Sequence, residues 1–355
     1  MPSSGETDAQ LRYVGVWVAI NGGRYEMSWF EELFGFEECG WAGTRARFVV
    51  EGDRLRSLAN GKSWQVGLLE TPSLAELRGR GTQPHGTLRV ENVSADAHRL
   101  HAEAQARGAL VQVASQFNLL EMVHYDVSPE EGITRYGSDR TQGPACALAA
   151  APATVVRNYF APVAGESGQT RERQLDMLAE LAASLPHGER IRMRNGYALL
   201  DAGTLATIDA ALAAASEAEL DAWRSKLRIG LHWNVEVTAA GPSSGQLVSQ
   251  AFCSALPVSY NRNASGSRWA RFATLVLEAA YEATLLAALE NARRGGSERV
   301  YLTLLGGGAF GNSREWILQA IRRALGLHRH RPLHVTIVSY GSIPADLRAL
   351  ADEFC

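Results

Sequence analysis

Three consecutive glycines, Gly306, Gly307 and Gly308, run into Ala309, Phe310, Gly311 and Asn312, and this stretch is the part of the chain best suited to hold an anion. Before it lies a short apolar run, Val300 to Leu305, of a length suited to a buried strand. After it comes a helical pattern in which Trp316, Ile317, Ala320, Ile321 and Leu325 recur on one side. Glycine lets a backbone approach a ligand closely and adopt positive φ. A helix start leaves N–H groups unpaired, and its dipole favours negative charge. The chemistry on offer is the grip of a phosphate or diphosphate. Three glycines can also be a plain tight connection, so the neighbouring elements must carry the reading.

Those elements match a family. Strand, Gly-Gly-Gly-Ala-Phe-Gly and helix together resemble the second phosphate loop of macrodomains. The stretch from Leu277 to Arg293 reads as the helix that precedes this strand in the family, and Leu333 to Tyr340 as its final strand. Upstream, a strand from Leu88 to Val93, then Asp96, a helix to about Arg107, Gly108 and a strand from Leu110 to Phe117 ending at Asn118 resemble the macrodomain entry. The resemblance implies that Asp96 accepts from an adenine amino group and that Asn118 sits by the distal ribose. Read from the residues alone, Asp96 is equally a helix N-cap and Asn118 a strand-end turn residue. Gln116 and Asn118 straddle Phe117, so both amides point to one side and could floor a polar pocket.

The first phosphate loop of the family corresponds in position to Thr141, Gln142 and Gly143, ahead of Pro144 and a helix of small residues. Only one glycine stands there, where the family usually has three. A loop of some twenty residues leads into it, from Asp126 to Pro144. Loops of that length are functional or disordered; Ile133 and Tyr136 interrupt this one with apolar side chains, so order is expected.

What the resemblance implies is a three-layer α/β/α macrodomain with a mixed central sheet over residues 86–355. A helical insertion falls at about 161–227, and an N-terminal mixed α/β extension, 1–85, packs on the core. The divergent first loop is similar to those of poly(ADP-ribose) glycohydrolase-like and bacterial-effector macrodomain hydrolases. The implied activity is hydrolysis of ADP-ribose from modified protein side chains, arginine-linked ones favoured. The alternative is a reader module that binds ADP-ribose without cleaving it. Partners are then ADP-ribose and an ADP-ribosylated protein, with no cofactor and no metal.

Cleavage at the anomeric carbon passes through an oxocarbenium-like state and calls for a carboxylate to handle protons. Asp139, four residues before the helix start, is the first candidate; Glu121, Asp126 and Glu236 follow. Each is also readable as a cap or surface charge. Glu236 comes from a stretch, Leu227 to Thr238, whose alternation puts His232, Asn234 and Glu236 on one face. A Rossmann nucleotide site fits less well, because its glycine fingerprint belongs to the first strand–helix unit.

In the insertion, a helix is expected from Gln174 to Leu185, a turn at Asn195-Gly196, and helices from Leu205 to Ala214 and Glu217 to Leu227. Ser216 and Glu219 have capping-box spacing. Tyr197, Asp201 and Asp209 read as ligand contacts or as surface residues and caps.

Composition bounds the rest. The chain has 355 residues, 46% hydrophobic, enough for a large core. With 35 basic and 38 acidic residues there is no bias toward nucleic acid or anionic membrane. Its four cysteines, Cys39, Cys146, Cys253 and Cys355, are widely spread, which points to reduced thiols rather than a zinc site or disulfide framework. No signal-peptide pattern precedes the first apolar run, and no run approaches the ~20 residues of a membrane span. A cytoplasmic protein with no membrane partner is expected.

Overall fold

A computed structural model describes residues 17–354 apart from 21–22, 82–83, 242–243 and 262–265. Its main sheet has seven strands: Leu68–Glu70 (β1), Arg89–Ser94 (β2), Leu110–Ala114 (β3), Gly230–Glu236 (β4), Leu247–Cys253 (β5), Arg299–Leu302 (β6) and His334–Ser339 (β7). Across the sheet the order is β1-β4-β5-β3-β6-β7-β2. The five strands from β5 to β2 are mutually parallel. Strand β4 runs antiparallel to both its neighbours.

Successive side chains of a strand point to opposite faces, and β5 shows what lies on each. On one face Gln250 donates to the Cys146 carbonyl at 3.0 Å, and the Phe252 ring lies under Arg157. On the other, Cys253 Sγ is 3.4 Å from Thr284 Oγ1. Helices Gln142–Ala149 (α1) and Ala151–Tyr159 (α2) therefore cover the first face. Helix Ala270–Arg293 (α3) covers the second, with Arg314–Leu327 (α4) packed along it. The expected α/β class with a mixed sheet between helical layers is what the structure has, and double coverage explains why β3, β5 and β6 are buried along nearly their whole length.

The expectation that no run approaches a membrane span is corrected by α3. It is long and apolar enough to cross a membrane, but 94% of its apolar window is buried inside the fold. A helix wrapped on all sides must be apolar all round. Its buried Glu278 and Glu282 are paired: Arg224 reaches Glu278 at 2.7 Å, and Arg78 and Arg323 reach Glu282 at 2.6 and 2.8 Å. Pairing is what makes buried charge tolerable.

Described residues between 29 and 77 pack on this core and also supply its edge strand β1. Helix Trp29–Phe34 and a three-stranded sheet (Phe48–Glu51, Arg54–Ser57, Ser63–Gln65) gather Phe30, Phe34, Phe48 and Trp64 against Leu120, Ile133 and Tyr136. The pair Asn60-Gly61, whose residue types predict a hairpin turn, joins the last two of these strands, and Gly61 has φ +71°. The sequence from Tyr13 to Ile20 predicts a strand followed by a turn at Asn21-Gly22-Gly23; the strand is described only over Trp17–Ile20, where it pairs with Gly23–Glu26. Residues 13–16 and the turn at 21–22 lie outside the described residues.

Two local expectations change. The alternation of β4 breaks where its register slips between His232 and Val235, with Asn234 at φ +53°. His232 is thereby fully buried under the helical layer while Asn234 is exposed. The helix expected over 174–185 is only Ala179–Ser184, because the Gln174 side chain is drawn into bonds with Asn118 and Asn195. The Ser216–Glu219 capping box forms as read and opens a helix at Glu217–Arg224.

Burial lowers the pKa values of three imidazoles, His101 and His328 to about 4 and His232 to about 3. In the unfolded chain they titrate near ~6.5. Between these limits the unfolded state binds more protons, so stability falls as pH drops below about 6.5. Glu121, whose pKa is raised to about 7, and Asp176, also raised by burial, act in the opposite sense but are fewer than the imidazoles. The melting temperature should therefore be lower at pH 5 than at pH 7 in thermal scans. An unchanged or higher value at pH 5 would contradict the buried neutral imidazoles.

Candidate active site

In sheets with parallel strands, ligands bind beyond the carboxyl ends of the strands. Here the loops leaving β3, β5 and β6 converge on a cavity of about 850 Å³. After β3 it is lined by Gln116 and Glu121, after β5 by Ala255, and after β6 by Gly306, Gly308, Ala309 and Phe310. The start of α1 adds Thr141, Gln142 and Gly143, and the preceding loop adds Tyr136 and Asp139. The two glycine-bearing segments thus share one cavity.

Their local structure explains how backbone reaches it. A Cβ at Gly143 would lie 2.1 Å from the Ala114 carbonyl and 3.1 Å from Glu121 Cγ, so only glycine lets α1 come this close to the end of β3. Gln142 ties the same two elements, accepting from Ala114 N at 2.8 Å and donating to Gln112 O at 2.9 Å. In the other loop, Gly311 N donates to Gly308 O and Asn312 N to Gly306 O, which folds it back on itself. Six lining residues, Gln142, Gly143, Gly306, Gly308, Ala309 and Phe310, have backbone N–H groups that bond nothing among the described residues. Free N–H groups on two loops that share one cavity, two of them at a helix N-terminus, suit an anion.

Beside them is a carboxylate. Glu121 is 2% exposed yet lines the cavity. Its N–H donates to the Tyr136 hydroxyl at 2.9 Å. Arg157 Nη2 approaches its two oxygens at 3.3 and 3.4 Å. Burial pushes the Glu121 pKa up to about 7, against the opposing pull of Arg157 and the Tyr136 hydroxyl. A group poised there can both give and take a proton near neutral pH. Gln116 Oε1 accepts from Met122 N at 2.8 Å, which fixes its amide at the cavity wall.

Part of the lining is aromatic. The insertion's hairpin, Arg192–Arg194 with Tyr197–Leu199, turns at Asn195 and Gly196, both at positive φ (46° and 80°). It presents Tyr197, whose hydroxyl donates to Met122 O at 2.7 Å. The Tyr197 ring lies 5.0 Å from Tyr260 and 5.3 Å from Phe310. Flat rings in this number suit a nucleobase or sugar face.

Several expected site residues lie elsewhere. Asp96 caps the helix Ala97–Ala102 by accepting from Arg99 N, outside the cavity lining. Asn118 is fully buried and structural, bonding Gln174 and Leu120 N. Asp126 is exposed and ion-paired with Arg194. Glu236 accepts from Gln65 N and lines a separate cavity of about 370 Å³ beside Trp29 and Trp64. Gly307, Gly311 and Asn312 shape the second loop without lining the cavity. Asp139 lines it, but one of its oxygens holds Thr141 N and Oγ1 at 2.9 and 2.8 Å. Asp201 caps Ala202–Ala214, and Asp209 pairs with Arg271. Among the described residues no group of His, Cys, Asp and Glu side chains could hold a metal ion.

Sequence reasoning missed Arg157, Tyr260 and the contact of Tyr136 with Glu121. Tyr136 had a signal, as an aromatic inside a polar loop. Arg157 had none, since nothing near it in the chain points back to Glu121.

No protein-family model matches the sequence, and no curated protein matches it significantly. Among solved structures, the poly(ADP-ribose) glycohydrolase of Thermomonospora curvata bound to the inhibitor ADP-HPD is similar at 16% identity and TM-score 0.37, over 85% of this chain and 94% of that one. The Deinococcus radiodurans poly(ADP-ribose) glycohydrolase in complex with ADP-ribose is similar at 12% identity and TM-score 0.39, over 81% and 95%. Likeness of this degree does not by itself establish what the chain binds or cleaves.

Proposed function

We propose that the chain hydrolyses the glycosidic bond of an ADP-ribosyl group. The observation that carries this reading is a buried carboxylate, Glu121, held by Arg157 in one cavity with six free backbone N–H groups from two loops. The N–H groups take the pyrophosphate, and the Tyr197, Tyr260 and Phe310 wall offers flat surface to the nucleoside. Protonated Glu121 gives its proton to the leaving oxygen as the bond to the anomeric carbon breaks. Its carboxylate then takes a proton from the water whose oxygen bonds that carbon. ADP-ribose and the free acceptor are the products.

The preference for arginine-linked substrates finds no support at the cavity mouth. Glu131 is paired with Arg135, and one Asp139 oxygen is occupied by Thr141. Arg140 lines the cavity with no ion pair among the described residues, so the mouth favours a leaving group that is neutral or anionic over a guanidinium. Release of ADP-ribose should be assayed on arginine-linked, carboxyl-linked, serine-linked and polymeric substrates. Binding of ADP-ribose without release from any of them would leave the chain a reader module.

Gly308 tests the cradle without disturbing the fold. A Cβ there meets nothing within 4 Å, and its φ is not positive. Gly308→Val should change stability by no more than about 0.5 kcal/mol. It should weaken ADP-ribose binding at least about tenfold by keeping the pyrophosphate off the backbone. Calorimetry alongside thermal scans reads both, and wild-type affinity in this variant would place the anion elsewhere.

A further inference from the structure

We propose that Arg157 is the positioning residue of this site, holding the turn that carries Glu121 and supplying the fixed charge beside its carboxylate. The inference rests on the reading of Glu121 as the acid–base group.

Arg157 sits on α2, 36 residues along the chain from Glu121, with no exposed surface. Its Nε donates to the Leu119 carbonyl at 3.1 Å. Its Nη2 reaches both Glu121 oxygens and donates to Thr154 Oγ1 at 3.0 Å. The guanidinium carbon lies 3.8 Å from the centroid of the Phe252 ring, so the plane is supported from the sheet as well. One planar fork therefore spans two points of the same turn, the carbonyl of residue 119 and the carboxylate of residue 121.

That turn needs holding. Leu119 has φ +63°, a left-handed conformation that a Cβ-bearing residue adopts at a cost. Leu119 N–H donates to Gln116 O, Leu120 N–H to Asn118 Oδ1, and the Gln116 N–H to Leu120 O. These bonds close the turn on itself, and the Arg157 fork anchors it to α2. Lysine could keep the charge, but a single ammonium does not reproduce a fork set by guanidinium geometry.

The groups facing Glu121 and Arg157 come from several elements. Tyr136 approaches from the loop helix Thr134–Ser138, Cys146 from α1 and His232 from β4. Burial raises the pKa values of the Tyr136 and Cys146 groups and lowers that of His232 to about 3, so all three are neutral at neutral pH. Arg157 is then the one charge available to the carboxylate from these partners. A buried carboxylate without it would stay protonated to higher pH.

Two readouts separate this role from mere packing. Carbon-13 NMR of glutamate-labelled protein follows the Glu121 carboxyl, assigned by the signal missing in Glu121→Gln. In Arg157→Met, which keeps most of the side chain's length, its titration midpoint should rise by at least about one pH unit. The activity profile should move with it, kcat falling and KM holding. Arg157→Lys should return the midpoint most of the way to wild type while kcat stays about tenfold low, because the bond to Leu119 is not restored. A wild-type midpoint and wild-type kcat in Arg157→Met would overturn the proposal. Should that variant not fold, Arg157→Lys decides: wild-type kcat and KM there would show that the fork is dispensable. If the wild-type protein cleaves nothing, the hydrolase reading fails, and the NMR titration still tests the link between Arg157 and Glu121.

Discussion

Glu121→Gln is expected to lose turnover by about a thousandfold while still binding ADP-ribose, since general acid–base catalysis is worth about 10² to 10⁴. Glutamine copies the shape of the protonated acid and leaves Arg157 an oxygen to contact, so the fold should survive. Glu121→Ala is the poorer probe, because a buried arginine left without its partner costs about 3–5 kcal/mol. The pH profile gives a second signature. The acid must be protonated to serve the leaving oxygen, so kcat of the wild type should decline as pH rises through about 7, where burial has moved the Glu121 pKa. Steady-state rates from pH 5 to 9, with calorimetric ADP-ribose binding on the same samples, check both. If Glu121→Gln turns over at the wild-type rate and Asp139→Ala does not, the acid–base role passes to Asp139, which also lines the cavity.

Gly306→Val should be strongly damaging to the second loop. Gly306 has φ +74°, and a Cβ there would lie 2.4 Å from Ala255 Cβ and 2.7 Å from Asn312 Nδ2. Left-handed backbone costs a Cβ-bearing residue about 1–2 kcal/mol. Crowding into a packed site adds about 1–3 kcal/mol more. Asn312 would have to give way, and it is the residue that holds the loop: its side chain donates to the Leu256 carbonyl at 2.8 Å and its N–H to the Gly306 carbonyl at 3.0 Å. Urea unfolding should show a loss of about 2–5 kcal/mol, and ADP-ribose should no longer raise the melting temperature. Gly308→Val is the internal control, because it should weaken binding at nearly constant stability. Gly306→Val with wild-type stability and an intact ADP-ribose shift would mean that the loop does not have the conformation described.

What could be read along the chain was whatever short-range physics controls. Apolar periodicity located β6 and α4 on either side of the glycines, and small residues marked α1. The Ser216–Glu219 spacing announced a helix start, and Asn195-Gly196 announced a turn. A strand–glycine–helix order also implied a backbone anion site, and the structure brings Gly143 and Gly306 to one cavity at the ends of parallel strands. Which carboxylate belongs to that cavity was not local information. Asp96, Asp126, Asp139, Glu121 and Glu236 are alike as residues; they differ in what packs against them. Asp126 is exposed beside Arg194, Glu236 is tied to Gln65, and Glu121 is sealed under α2 with Arg157. The burial that moves a carboxyl toward neutrality, and the charge that keeps it able to ionise, are sums over neighbours distant in sequence. Only the assembled layers determine those sums.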